Sequence, residues 1–405
     1  MASNLRTHVK NNDMRDRFKA AAYQRQEKKL FEDMRSIGEA CVKFLEYITD
    51  VPFHRWSLFH DAGRRHEIME GQDQGQTRHN PGPADPSVLT LQDTHRSRDI
   101  WEQIGDPARC LVCRHHVATT VVDWVVDPRV LQYIDFVGFG GFHRMAFTPI
   151  DRALITALVE RWRQETHSFH LPVGEATVTL RDVEILTRLP VHGRAVTGPI
   201  IQDPRGLVER VLGVRPEATD VRGTGLRHIW LRETFGVLPP DADDGVVQRY
   251  ARAYLFMLIG SLFSNKSGSH IQLIYLQLLE NNWEGIRDYS WGSACLATLY
   301  RHLCRASQRS RWEISGPLIV LQLWAWEHIH VGRPAMPARR RREEEEEDDQ
   351  EHAYEAPPHP PPDLAYCCRW LGRRLTRVHA ARGLPYYRDA FDRLSESQVI
   401  VHFKN

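Results

Sequence analysis

Residues 162–193 read WRQETHSFHLPVGEATVTLRDVEILTRLPVHG and say more about the fold than any other stretch of this 405-residue chain. In the second half, Thr179 and Asp182 have the spacing of a capping box, and Pro190 would stop the helix that follows. Leu171 and Pro172 are interpreted as ending an earlier helix, with a short strand over residues 176–179. We therefore predict a helix, a turn and a second capped helix.

The sequence before this stretch predicts the first of those helices. Thr148 has the character of an N-cap, Pro149 suits the first helical position, and Asp151 lies three residues after the cap. Apolar residues then recur at helical spacing as far as Trp162. Further helices are predicted over residues 247–263, over residues 293–305, and from Gly316 to His330. The fold class expected is mainly α with a few short strands. The large apolar side chains expected in the core are Trp162, Phe169, Leu171, Val183, Leu186 and Leu189.

Composition shifts divide the chain into segments. Residues 1–70 are charged and helical in pattern, and residues 71–87 are rich in turn formers, which predicts a separate small helical segment and a flexible linker. Residues 88–394 form the main domain. Within it, residues 333–363 combine a run of four arginines, seven consecutive acids and a proline cluster, a composition too polar to build a core, so we predict a disordered insert. Residues 395–405 are a tail.

The overall charge limits the classes of partner. Lys plus Arg is 53 against 52 for Asp plus Glu, and only seven of the basic residues are lysine. No global basic field would recruit nucleic acid or an anionic membrane, so such binding would need a local patch. The longest apolar run, residues 253–263, is far shorter than the about 20 residues of a membrane span. We expect a soluble intracellular protein, and the seven scattered cysteines suit a reducing compartment.

Several polar groups are candidates for chemistry. Glu165, Thr166, His167, His170 and Glu175 are close in sequence and could form a catalytic or metal cluster, but the commoner explanation is that they are buried and satisfy loop backbone.

Two other motifs favour structural interpretations. Cys110 and Cys113 have the spacing of half a zinc site, next to His115 and His116, yet no second pair follows, so ordinary thiols are favoured. Residues 138–141, GFGG, are interpreted as a turn. We assign no catalytic, cofactor-binding or metal-ligating residue.

The opening stretch resembles the plant mobile domain, also called the MAIN-like or "aminotransferase-like" domain. The shared pieces are a Trp-Arg pair, Glu-Thr-His-Ser-Phe-His, Leu-Pro-x-Gly-Glu, Thr-Leu-x-Asp-Val and Leu-Pro-x-x-Gly. Residues 249–255, 289–294 and 321–327 extend the resemblance. It implies a mainly helical, nuclear, plant-specific domain of transposable elements and of host proteins linked to meristem maintenance and silencing. Relatives usually close with a Trp-x-Pro-Tyr motif that is missing from the tail here.

The name "aminotransferase-like" invites a pyridoxal-phosphate hypothesis. The Schiff base would need a lysine, and Lys266 alone is available in the main domain. It lies in a Ser/Gly-rich stretch where a solvated loop lysine is favoured. The pattern also lacks the alternating strands and helices of a large parallel sheet. We therefore expect no cofactor.

Residues 1–70 show a second resemblance, to the helical region of Mutator-like transposases. Residues 55–57, Arg-Trp-Ser, and residues 60–65, His-Asp-Ala-Gly-Arg-Arg, carry it. Such transposases cut DNA with three carboxylates that hold two metal ions. No complete triad can be assigned here, since Glu67 and Glu70 replace the family's Thr-x-Asn-x-x-Glu. An unrelated charged helical hairpin is the alternative.

The two resemblances predict a transposon-derived nuclear protein that acts as a non-enzymatic protein-interaction module in meristem maintenance and gene silencing. The family resemblance names a plant serine/threonine protein phosphatase as a candidate partner. Neither a membrane nor a small-molecule substrate is expected. Residues 339–342 could be a nuclear import patch, although a solvated linker is favoured. The alternative function is a DNA-binding or accessory protein of a transposable element without cleavage activity.

Overall fold

The computed structural model describes residues 89–106, 108–114, 124–145, 148–263, 269–333, 365–370, 383–395 and 398–399. All of them belong to one of the two compact units of the chain, residues 78–405. The predictions for residues 1–70, the linker, the insert from residue 334, His115, His116 and Lys266 lie outside the described residues.

The described part of the chain is mostly helical, as predicted. Its α-helices are α1 (Ser97–Trp101), α2 (Pro128–Phe136), α3 (Gly140–Met145), α4 (Arg152–Arg161), α5 (Leu180–Thr187), α6 (Pro204–Leu212), α7 (His228–Phe235), α8 (Asp244–Leu262), α9 (Leu273–Leu278), α10 (Trp283–Arg287), α11 (Trp291–Ala306), α12 (Leu318–His328) and α13 (Leu384–Asp392). Short 3-10 helices cover Gln92–Thr94, Ala218–Asp220 and Tyr366–Trp370.

In the residues that the structure describes, eight short strands form three small sheets. They are β1 (Val112–Cys113), β2 (Trp162–Arg163), β3 (Ser168–Leu171), β4 (Gly174–Ala176), β5 (Val221–Arg222), β6 (Gly225–Arg227), β7 (His270–Gln272) and β8 (Glu313–Ile314). Strands β2, β3 and β4 form an antiparallel meander, and β5, β6 and β7 form a second antiparallel sheet. β1 and β8 pair in parallel. Each sheet is small, and helices make up most of the domain.

The start of α4 differs from the prediction. The helix begins at Arg152, and its N-cap is Asp151, not Thr148. The Asp151 carboxylate accepts hydrogen bonds from the backbone N–H groups of Ala153 and Leu154, both at 3.0 Å. A carboxylate at this position satisfies two donors that the first turn leaves unpaired.

The end of α4 is also not where it was predicted. The helix stops at Arg161, and Trp162 already pairs with Phe169 across β2 and β3. The segment expected to remain helical to His170 is therefore a hairpin, whose turn holds His167 at φ 51°. The physical reason is that Phe169 stacks on Trp324 of α12 with ring centres 5.1 Å apart, a contact distant in sequence that outweighs local periodicity.

The second half of the opening stretch confirms the prediction of a capped helix. Thr179 and Asp182 form a capping box at the start of α5, and the helix ends where Arg188 adopts a left-handed conformation at φ 61°. The helices predicted over residues 247–263, 293–305 and up to His330 correspond to α8, α11 and α12.

The glycine-rich residues 138–141 combine a turn with a helix start, which corrects the prediction of a turn alone. Gly138 has φ 85°, and α3 begins at Gly140. A Cβ on Gly141 would lie 2.5 Å from the carbonyl oxygen of Thr187 and 2.5 Å from the Cβ of Ala365. Glycine is required there because α3 lies against α5 and residue 365.

The core is built around two long buried helices. Every residue of α12 is buried, and α8 is buried over most of its length from Ala251 onward. Helices α4 and α5 pack against α12, and α13 packs on α4, whereas α2, α6 and α7 pack on α8. The six apolar residues expected in the core from the opening stretch are all at most 2% exposed. No helix in the described residues is long and apolar enough to cross a membrane.

Charged pairs join the last helix to the core. Arg388 of α13 donates two hydrogen bonds to the Glu160 carboxylate at 2.8 and 2.9 Å, and both side chains are buried. Arg161 pairs with Asp392 on the next turn. The Glu327 carboxylate of α12, buried, accepts from the Trp370 indole at 2.5 Å. Residues 365–370 and 383–395 are thus part of the same packed body.

Candidate interaction surface

The apolar members of the family-like stretch hold the core together. Trp162 lies edge-on to Phe169 and Tyr300, with ring centres 4.9 and 5.0 Å apart. Its indole N–H donates to the Cys304 sulfur at 3.3 Å. Burying several large aromatic rings together contributes strongly to stability, and edge-to-face packing adds to it. These side chains are therefore not available to a partner.

The polar members of the stretch are not a buried cluster, contrary to the sequence interpretation. Glu165, Thr166, His167 and Glu175 are exposed, and His170 is half-buried. The Glu165 carboxylate accepts from the Leu91 backbone N–H at 2.7 Å. The His167 ring stacks on Tyr300 with centres 5.5 Å apart. The antiparallel hairpin, not a common site, accounts for their positions.

A buried cation that the sequence analysis missed lies beneath the hairpin. Arg163 is 1% exposed, and its guanidinium donates to Nδ1 of His95 at 2.9 Å and to the Ser97 hydroxyl at 3.2 Å. Nε2 of His95 donates to the Trp162 carbonyl at 2.7 Å. Burial and the neighbouring Arg163 lower the pKa of His95 to about 3, so the ring is neutral. The group ties α1 to the hairpin.

Cys110 and Cys113, which have the spacing of half a zinc site, have the environment of protonated thiols. Cys113 lies on β1 and is buried, which raises its pKa to about 12. Burial also raises the pKa of Cys110. The thiolate is the form that binds metals and attacks electrophiles. Across the described ranges, no three His, Cys, Asp or Glu side chains are grouped to hold a metal ion.

Several arginines and an exposed tryptophan, residue types that are common in protein interfaces, lie close together where β1 pairs with β8. We call this region the Arg/Trp surface; its residues are Arg109, Arg114, Arg305, Arg311, Trp312 and Glu313. The Arg109 guanidinium lies 3.7 Å from the centre of the Trp312 ring. Trp312 is 39% exposed. Beneath it, buried Arg96 donates to the Arg311 carbonyl at 2.7 Å and lies 5.5 Å from the ring.

Helix α11 and strand β8 border a cleft in this surface. Its volume is about 330 Å³, part of it open to solvent, and it is lined by Arg114, His302, Arg305, Arg311, Glu313 and Ser315. Residues 311, 313 and 315 alternate, which brings their side chains to one face of an extended segment. Arg305 comes from the last turn of α11.

The polar groups of the cleft differ in charge state. Arg114 pairs with Glu313 at 3.1 Å. The Ser315 hydroxyl is hydrogen-bonded to Nδ1 of His302 at 3.0 Å. Burial, together with Arg301 and Arg305, lowers the pKa of His302 to about 4, so this ring is neutral at physiological pH. The cleft therefore combines guanidinium groups with neutral hydrogen-bonding groups.

Acidic residues interrupt the positive charge around the surface. Arg309 pairs with Asp99 at 2.6 Å, and Arg98 pairs with Asp93 and Glu102 at 2.6 and 2.8 Å. The arginines thus form a local patch and not a continuous basic stripe. The sequence did contain a signal, because residues 305–312 read RASQRSRW and place three arginines before an exposed tryptophan.

The comparisons with known proteins point to one family. Residues 138–402 match the family model described as "Plant mobile domain". In Arabidopsis thaliana, "Serine/threonine-protein phosphatase 7 long form homolog" is 44% identical over 321 residues, which is 79% of this chain and 23% of that protein. "Protein MAIN-LIKE 2" is 34% identical over 322 residues, 79% of this chain and 45% of that protein. No solved structure matches the chain.

A third relative also matches most of this chain. "Protein MAINTENANCE OF MERISTEMS" of Arabidopsis thaliana is 36% identical over 315 residues, 77% of this chain and 60% of that protein. The chain thus spans between 23% and 60% of the lengths of these relatives.

Proposed function

The chain belongs to the plant mobile domain family, and from that premise we propose that it is a protein-interaction module without enzymatic activity, related to meristem maintenance and to the silencing of genes and transposons. The names of two relatives, MAIN-LIKE 2 and MAINTENANCE OF MERISTEMS, support the relation to meristems. We place the module in the nucleus. Residues 1–70 are proposed to derive from a Mutator-like transposase.

The observation that carries this proposal is the exposed Trp312 with arginines around it. Tryptophan and arginine are the residue types that dominate binding energy in protein interfaces, especially where they are clustered. The large side chains that mark the family are buried and hold the fold together. A partner would therefore contact the Arg/Trp surface.

The candidate partner is a plant serine/threonine protein phosphatase. A relative with 44% identity carries a phosphatase name, and this chain matches 23% of its length. We propose that such a phosphatase, on the same or another polypeptide, associates with the domain.

The test is affinity purification of the full chain from plant nuclei followed by mass spectrometry. The Trp312→Ala variant should lose the specific partners, because losing an interface hot spot costs about 2 kcal/mol, which is roughly 30-fold in affinity. Val237→Ala is the control, since Val237 is 84% exposed and far from Trp312 in sequence. Recovery of the same partners by wild type and Trp312→Ala would refute the assignment of the surface.

DNA binding is the competing outcome. A phosphate-backbone contact would show as a steep loss of duplex binding when salt is raised from about 50 to 200 mM. The interspersed Asp99, Glu102 and Glu313 argue against such a contact. Salt-dependent binding of duplex DNA by the full chain would overturn the proposal of a protein-interaction module.

A further inference from the structure

Among the described residues, the cleft between α11 and β8 has two guanidinium groups that are paired with no carboxylate. Glu313 is paired with Arg114. For Arg305 and Arg311, no carboxylate oxygen within the described ranges comes within 4.0 Å. Both side chains are exposed at the rim of the cleft. A ligand with about two negative charges would match them.

The small size of the cleft and its neutral hydrogen-bonding groups limit which ligands it could bind. Ser315 and His302 are buried at the base of the cleft, 3% and 8% exposed. The volume of the cleft, about 330 Å³, includes space open to solvent, so only a small group fits between its walls. It suits one compact anionic group and not a nucleoside or a stretch of duplex.

We propose that this cleft binds the phosphate of a phosphoserine or phosphothreonine in a partner protein, with Arg305 and Arg311 as its cationic contacts. A phosphorylated side chain carries about −1.5 to −2 charge and three acceptor oxygens, whereas one carboxylate carries a single charge. A planar guanidinium group can donate two parallel hydrogen bonds to two oxygens of one phosphate. The proposal rests on the interaction module proposed above and specifies what its partner must carry.

The mixed charges around the cleft favour a phosphopeptide over a nucleic acid. Trp312 follows Arg311 in an extended segment, so its ring lies on the face opposite the cleft, where Arg109 stacks on it at 3.7 Å. Glu313 and Asp99 lie among the arginines and would repel the many phosphates of a nucleic acid. A single phosphate, as on a phosphorylated peptide, fits this arrangement better.

The experiment uses the full chain and three fluorescein-labelled peptide pools in fluorescence anisotropy. The pools have degenerate flanks around a central phosphoserine, serine or glutamate. We expect the phosphoserine pool to bind at least about tenfold more tightly than the other two, because charge-assisted contacts are lost in both. Equal binding of the glutamate pool, or no binding of the phosphoserine pool, would overturn the proposal. So would a labelled DNA duplex that competes as well as the phosphopeptide.

Substitutions locate the site. Arg305→Ala with Arg311→Ala should weaken phosphoserine binding by at least about tenfold, and Glu313→Gln should strengthen it because it removes an acid that lines the cleft. Arg222→Ala is the matched control, since Arg222 is an exposed arginine on β5. The variants change exposed or half-buried side chains, and an unchanged urea midpoint would verify folding. Loss of binding in Arg222→Ala to the same degree would refute the location.

The two proposals can fail separately. If nuclear partners depend on Trp312 but the phosphoserine pool does not bind, the interaction surface stands and the phosphate site is wrong. If the phosphoserine pool binds through Arg305 and Arg311 but nuclear extracts yield no partner, the phosphate site stands and the module function fails.

Discussion

The buried pair of Glu160 and Arg388 allows a quantitative test of how α13 is held. The Arg388→Met variant removes the guanidinium and leaves a carboxylate whose side chain is 6% exposed. Breaking one half of a buried pair costs about 3–5 kcal/mol, because the remaining charge is neither solvated nor paired. We expect the low end, about 3 kcal/mol, since buried Arg96 also interacts electrostatically with Glu160.

The measurement is the free energy of unfolding of the full chain by urea denaturation, in a double-mutant cycle. Glu160→Leu combined with Arg388→Met should recover most of the loss, because replacing both charges by apolar groups is often neutral. Arg393→Met is the control on the same segment: Arg393 pairs with Asp389 four residues earlier, but the two side chains are 47% and 45% exposed. Its loss should be below about 0.5 kcal/mol.

Two results would refute this reasoning. One is an equal loss of unfolding free energy in Arg388→Met and Arg393→Met, which would mean that the buried pair stabilises the fold no more than the exposed pair does. The other is a double variant less stable than either single variant, which would mean that the side chains act by packing volume and not as an ion pair.

Three further variants test separate parts of the structure by urea denaturation. His302 alone should lower stability by roughly 2 kcal/mol as pH drops from 6.5 to 4, because a histidine with a lowered pKa is protonated more readily in the unfolded chain. His302→Asn should reduce the fall in stability by that amount and leave the separate contribution of His95, whose pKa is also lowered; an unchanged slope would contradict the low pKa of His302. Thr179→Ala should cost about 1 kcal/mol through loss of its capping box with Asp182, and no loss would mean that the box is not stabilising. Gly141→Ala should lower the free energy of unfolding by about 1–3 kcal/mol, since its Cβ would lie 2.5 Å from a backbone oxygen of α5. Gly245→Ala at the start of α8 should lower it less, and equal losses would contradict the close approach of α3 to α5.

The local signals in the sequence predicted the helices well. Thr179 and Asp182 form the capping box that their spacing indicates, and the apolar runs of α8, α11 and α12 become buried helices. A capping box works because both partners lie within one turn, so the chain itself brings them together. Such features need no knowledge of the rest of the fold.

The predictions from sequence were wrong where a contact between residues distant in the chain outweighed the local pattern. The helix predicted to continue to His170 ends at Arg161, because Trp162 and Phe169 gain more by pairing across a hairpin and packing on Trp324. The polar residues beside them were expected to be buried, yet the hairpin turn exposes Glu165 and His167 to solvent. Periodicity over ten residues does not contain this information.

The candidate site was least visible in the sequence. Its residues come from α11, from the segment around β8 and from the position directly after β1, and residues 114 and 305 are almost two hundred positions apart. The arginine excess and the string RASQRSRW were visible, but which guanidinium lacks a carboxylate depends on where Glu313 and Asp99 lie.

By itself, the sequence determined the family, the mainly helical class and the side chains that build the core, since the motif residues and the apolar periodicity are properties of the chain alone. The tertiary structure alone decided where α4 ends, which charges are paired and buried, and that Trp312 and two unbalanced arginines share one surface. The physical reason is that backbone patterns and burial tendencies are local, whereas the charge balance at a surface is set by residues that only folding brings together.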